Sequence, residues 1–189
     1  ATIAINLYTA SNVVFLRILT NNMVVGYYSG AKKIIDNITA LFSPVSQAIY
    51  PHVSKLAAAS EDMAVQFLKK LFRIVGASTF VLSTLIFLFA EVIVGILLGY
   101  NYEDSILLLR ILAFLPFIIA LSNLFGIQTM LTLGMQKTFS SILVKAAVFN
   151  TILVLPLIYL YQSIGVCVAI LITEFIVTTV MCFALKRNN

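Results

Sequence analysis

The sequence predicts an all-α, polytopic membrane protein with six spanning helices, and three observations predict it. Of its 189 residues 61% are apolar and 10% are charged, with a mean hydropathy of +1.07; a soluble domain is about half apolar and about a quarter charged. Six stretches reach the roughly 20 apolar residues that a spanning helix needs. Lys and Arg collect in alternate connections, as they do where cytoplasmic loops retain positive charge. No period of two runs through the apolar stretches, which excludes a β-barrel. The basic excess of +5 is dispersed and charges are few, which excludes disorder and a nucleic-acid partner.

The first helix is expected over about 1–20, closed by Thr20-Asn21-Asn22. Membrane-grade apolar sequence starts at Ala1, with no initiating Met, so further sequence is expected ahead of it. This stretch lacks a basic n-region and a small-residue cleavage site and does not read as a signal peptide. The second helix is expected over about 27–51. In the connection that follows, Met63, Ala64, Phe67, Leu68, Leu71 and Phe72 recur at helical spacing. Residues 61–72 therefore read as a cytoplasmic amphipathic segment, either lying in the interface or extending the third span. The third helix, about 74–99, and the fourth, about 106–133, flank the polar run Tyr100-Asn101-Tyr102-Glu103-Asp104. Residues 139–185 are too many for one crossing, and Tyr161-Gln162-Ser163 before Gly165 supplies a turn between helices at about 139–160 and 164–185. Pro44 and Pro116 fall inside helices and predict kinks.

Orientation follows from the connections. Lys55, Lys69, Lys70, Arg73, Lys137, Lys186 and Arg187 lie in the second and fourth connections and the tail, and none lies in the other three connections. The C-terminus is therefore expected to be cytoplasmic, and so is Ala1.

Polar groups are costly in a spanning helix and usually face a bundle interior or a wet cavity. On the second helix Ser29, Lys32, Lys33, Asp36, Ser43, Gln47, Tyr50 and Ser54 fall within an arc of about 100°, a stripe from one membrane face to the other. On the first, Thr2, Asn6, Thr9, Arg17 and Thr20 share about 80°, so the two helices are expected to line one cavity. For Ser and Thr, interhelical hydrogen bonds are the simpler role. Lys32 and Lys33 are adjacent cations that need a counter-charge. Asp36 offsets Lys32 at i+4, leaving Lys33 and Arg17 for an anionic ligand, with snorkelling as the alternative. Glu174, in the middle of the sixth helix, must be protonated or paired. With Asp36 it forms the candidate ion-coupling pair, and Lys145 is its alternative structural partner. Glu91 and Arg110, near the outer ends of neighbouring helices, are expected to pair.

Enzyme chemistry is not expected. His52 is the lone histidine, so no metal site is expected. Cys167 and Cys182 are 15 residues apart on one helix, about 22 Å, too far to bond. No nucleophile elbow, P-loop or zinc-protease motif occurs, and no cofactor is expected.

The run Val25-Gly26-Tyr27-Tyr28-Ser29-Gly30-Ala31-Lys32-Lys33, continuing through Ser43-Pro44-Val45 to Gln47-Ala48-Ile49-Tyr50-Pro51-His52-Val53-Ser54, resembles the start of the second half of bacterial polysaccharide flippases. These belong to the multidrug/oligosaccharidyl-lipid/polysaccharide exporter superfamily, and Asn6-Leu7-Tyr8-Thr9 is similar to the same family. The resemblance implies a bacterial inner-membrane transporter of twelve helices in two six-helix lobes, this chain being the C-terminal lobe and the N-terminal lobe its partner. It implies a cargo of undecaprenyl-diphosphate-linked oligosaccharide, flipped between leaflets by alternating access. Arg17, Lys32 and Lys33 fit a cationic cavity for the diphosphate, and Asn6, Gln47 and Tyr50 fit the sugar-facing polar lining. A drug or peptidoglycan-precursor exporter of the same superfamily, and a non-transporting six-helix scaffold, are the alternatives.

Overall fold

A computed structural model describes the backbone of residues 2–188, and side chains from residue 11 to residue 187 other than Glu61 and Tyr100. Among the described residues the chain is helical with no strand. In order, α1 is Thr2–Leu19, α2 Asn22–Ala40, α3 Phe42–Ala59, α4 Glu61–Leu88, α5 Ala90–Leu97, α6 Asp104–Leu112 and α7 Leu115–Asn123. A π-helix, Leu124–Met130, continues α7, and α8 is Gln136–Asn188. Among the described residues three helical stretches are long and apolar enough to cross a membrane: Asp62–Leu88, Asp104–Met130 and Gln136–Arg187.

The last of these contains a reversal. Gln162 has φ 50° and ψ −125°, the mirror image of an ordinary type II turn residue. The Asn150 Nδ2 donates to Thr173 Oγ1 at 3.0 Å, whereas 23 residues of straight helix would separate them by about 35 Å. The two limbs of α8 therefore fold back on each other as the Tyr161-Gln162-Ser163 turn predicts. Gly165 is required there, because a Cβ would lie 2.0 Å from the Leu157 carbonyl oxygen.

The two prolines expected to kink helices, Pro44 and Pro116, sit instead just after breaks, while Pro51 and Pro156 lie inside α3 and α8. Pro44 sits in the first turn of α3, directly after a break at Leu41, whose N–H reaches Ile38 O at 3.2 Å. Pro116 sits at the start of α7, after a break at Ala113 and Phe114. In each case the missing N–H removes the bond that would carry the helix across. The second apolar stretch is thus two helices. It begins at Asn22, where the Asn21 side chain caps the Val24 N–H at 3.0 Å, and it runs on to Ala59. Residues 61–72 are the opening turns of α4, which continues unbroken to Leu88. His52 stacks edge-on against Phe67, centroids 4.9 Å apart, tying α3 to α4.

The main core joins Leu16 of α1, Tyr28 and Ile35 of α2, Leu108 and Leu112 of α6, and Val154 and Ile170 of α8. A second core forms around Met130, Phe139 and Met181, closed by Gly126, whose absent side chain leaves room for Phe139. The outside is greasy: Ile18 is 72% exposed, Ile152 68% and Ile96 78%. Such a surface is stable only against lipid or another protein.

Candidate functional site

The α2–α3 segment inverts the pattern of its neighbours. Its apolar residues Tyr28, Ala31, Ile34 and Ile35 are buried, while Lys33, Asp36, Ser43 and Gln47 are exposed. The Leu41 break splits the contacts of this segment: α2 packs on α6 and α7, and α3 packs on α4 and the π-helix. Between them lies a groove of about 890 Å³, lined by Asp36, Thr39, Ser43, Ser46, Gln47 and Tyr50 with Asn123, Ile127 and Leu131 opposite. One wall is hydroxyl, amide and carboxylate. The other is largely apolar.

Two local devices shape it. Lys32 Nζ bonds Asp36 Oδ1 along one face of α2, placing a charge pair at the groove edge. The buried Gln128 donates its Nε2 to both the carbonyl oxygen and the hydroxyl of Ser46, each at 2.8 Å, pinning the π-helix against α3. Within the π-helix Thr129 Oγ1 donates to Leu124 O five residues back, at 2.8 Å. Gln47 Nε2 donates to Ser43 Oγ at 3.0 Å, so these two polar groups share one wall.

Of the residues that sequence singled out, Asp36, Gln47 and Tyr50 come together on this groove. Lys32 joins them through Asp36. Lys33 and Arg17 are exposed, on α2 and near the end of α1, and among the described residues neither has an ion-pair partner. The side chain of Asn6 lies outside the described residues. Among the described residues α1 contributes nothing to the groove, because it packs chiefly along α8; the opposite wall comes from α7 and the π-helix. Glu174 is half-buried on the second limb of α8, its carbonyl oxygen accepting from Thr178 Oγ1 at 2.8 Å, and it is not among the groove residues. Glu91 and Arg110 line one outer cavity with Glu103 but do not close to ion-pair distance. Among the described residues no three His, Cys, Asp or Glu side chains converge as metal ligands do.

Sequence reading missed Thr39, Ser46, Asn123 and Gln128. The first two continue the helical spacing of Asp36, Ser43 and Gln47 and were legible. Asn123 and Gln128 arrive from 80 or so residues away and needed the fold. Asn12 was also missed: it is 1% exposed, and among the described residues its amide atoms find no hydrogen-bond partner.

A family described as "Polysaccharide biosynthesis protein" matches residues 1–107. The chain is 34% identical over 189 residues to a protein of Escherichia coli (strain K12) and 27% identical over 183 residues to one of Shigella dysenteriae. Both are named "Putative O-antigen transporter". The alignments take in 100% and 97% of this chain but 46% of each relative, so the chain spans about half the length of the curated relatives it matches. No solved structure matches it significantly. The chain belongs to the polysaccharide biosynthesis protein family.

Proposed function

We propose that this chain, as a member of the polysaccharide biosynthesis family, forms the C-terminal six-helix lobe of a transporter that exports polysaccharide units across the bacterial inner membrane. In this reading the cargo is an undecaprenyl-diphosphate-linked oligosaccharide, flipped from the inner to the outer leaflet by alternating access, with the C-terminus cytoplasmic. The single observation that carries it is the outward-facing polar wall of α2 and α3 on a body otherwise coated in apolar side chains. Polar and charged groups are expensive against hydrocarbon, so that wall calls for a facing lobe and water. The share of each relative left uncovered, more than half, leaves room for such a lobe.

Each residue then has a task. Arg17 and Lys33 present cations to the diphosphate, and Lys32 is held by Asp36 until an anion competes for it. Asn6, Gln47 and Tyr50 offer hydrogen bonds to sugar hydroxyls. The break at Leu41 divides the polar wall of the groove into an α2 half and an α3 half that can rock separately, as alternating access requires. Asp36 and Glu174 are the carboxylates available for coupling to an ion gradient.

The test is the Lys32→Ala/Lys33→Ala variant of the full-length protein. Surface polysaccharide is expected to be lost in cells while protein level is unchanged; normal export would remove the ligand-contact assignment. Vesicles loaded with lipid-linked oligosaccharide test the cargo, and uptake of peptidoglycan precursor in its place would reassign it. Glu174→Gln should alter the dependence of transport on external pH, and an unchanged profile would end its coupling role.

A further inference from the structure

We propose that a second cavity, remote from the α2–α3 groove, is a binding site for a membrane phospholipid with an anionic headgroup. It lies between α4, the π-helix and the end of α8, encloses about 510 Å³, and shares no residue with the groove. Its rim carries Lys69, Arg73 and Lys186, all exposed, and no described residue lining it is acidic. Three cations converging from two helices repel one another unless an anion sits among them. Below the rim the lining is Leu68, Phe72, Phe125 and Leu185, with the Phe72 and Phe125 rings 5.5 Å apart forming one side.

The apolar part does not stop there. A further cavity of about 450 Å³ shares Phe125, Cys182 and Lys186 with the first and continues past Phe183 and Thr179 to Phe175 and Phe117. From Lys186 to Phe175 is 11 residues of helix, about 16 Å. Half of a hydrocarbon core of ~30 Å is about 15 Å. The furrow is therefore charged at one end and apolar for the depth of a single leaflet, which is the shape of one phospholipid. A free phosphate would leave the furrow unused. A zwitterionic headgroup would bring its own ammonium against three cations. Basic pockets between membrane helices suit anionic headgroups for the same reason. This inference does not depend on what the α2–α3 groove carries.

The experiment uses the full-length protein, stripped of lipid in detergent and titrated with dioleoyl phosphatidylglycerol or dioleoyl phosphatidylcholine, bound lipid being counted by native mass spectrometry. Phosphatidylglycerol should bind at least about tenfold more tightly than phosphatidylcholine. Lys69→Gln/Arg73→Gln/Lys186→Gln should abolish that preference, and Lys69→Arg/Lys186→Arg should keep it. Thr179→Trp, which fills the furrow and leaves every cation, should weaken both lipids. Equal binding of the two lipids, an unchanged preference in the triple Gln variant, or tighter retention of undecaprenyl phosphate than of phosphatidylglycerol would each overturn the proposal. Transport loss in the Lys32→Ala/Lys33→Ala variant tests the other groove and leaves these readings untouched.

Discussion

The α2–α3 segment and the α8 hairpin use similar polar residues in opposite directions. In the hairpin Asn150 and Thr173 are buried, Asn150 Nδ2 donating to Thr173 Oγ1 at 3.0 Å, and the Thr173 hydroxyl donates in turn to Ala169 O at 2.8 Å. Outside it stand Ile152 and Tyr159, 68% and 83% exposed. In α2 Tyr28, Ala31, Ile34 and Ile35 are inside, and Asp36, Ser43 and Gln47 face out along α2 and α3, interspersed with the exposed Leu41 and Val45. The difference teaches that residue type does not fix the role of a polar group in a membrane helix; the side it faces does. Turned inward, it glues helices. Turned outward from an otherwise apolar body, it needs a wet cavity or a facing partner.

Four variants sharpen that contrast. Gly165→Val should cost most, roughly 3 kcal/mol or more, because the added Cβ would meet the Leu157 carbonyl oxygen at 2.0 Å and backbone cannot step aside; folded yield in membranes would report it. Asn150→Ala removes a buried bond and should lower stability by about 1–3 kcal/mol, seen as a lower melting temperature, with transport per folded molecule preserved. Gln162→Gly should act oppositely, raising stability by about 1 kcal/mol, since the positive φ of Gln162 is one that glycine adopts without strain. Ser43→Ala/Gln47→Ala should move stability least, within about 0.5 kcal/mol, while transport falls. A large stability loss in that last pair would recast the groove wall as structural glue and erase the contrast.

Much of this was legible in the sequence, for definite reasons. All-α membrane character followed from composition. The reversal at Gln162 followed from the excess length of 139–185; at Pro44 and Pro116 a missing N–H pointed to kinks, and the chain breaks there instead. The stripe holding Asp36, Ser43 and Gln47 followed from helical spacing, because a periodic pattern is local. What stayed hidden depends on contacts between distant segments. The periodicity of the first two helices suggested a shared cavity; the side chains of Thr2, Asn6 and Thr9 lie outside the described residues, and among the described residues the wall opposite α2 and α3 comes from α7 and the π-helix. A π-turn has no sequence signature as sharp as proline, so Gln128 could not be placed on Ser46 in advance. The expected Glu91–Arg110 pair required their two helix ends to meet, and they face each other across a cavity instead.

The central claim is that the α2–α3 wall meets water in the assembled protein. It is tested most directly by single cysteines in the full-length protein in intact membranes, probed with a membrane-impermeant maleimide on each side. Gln47→Cys and Ser43→Cys should label, and Ile152→Cys, also exposed but set on the greasy face, should not. Labelling at Ile152→Cys with none at positions 43 and 47 would contradict the account.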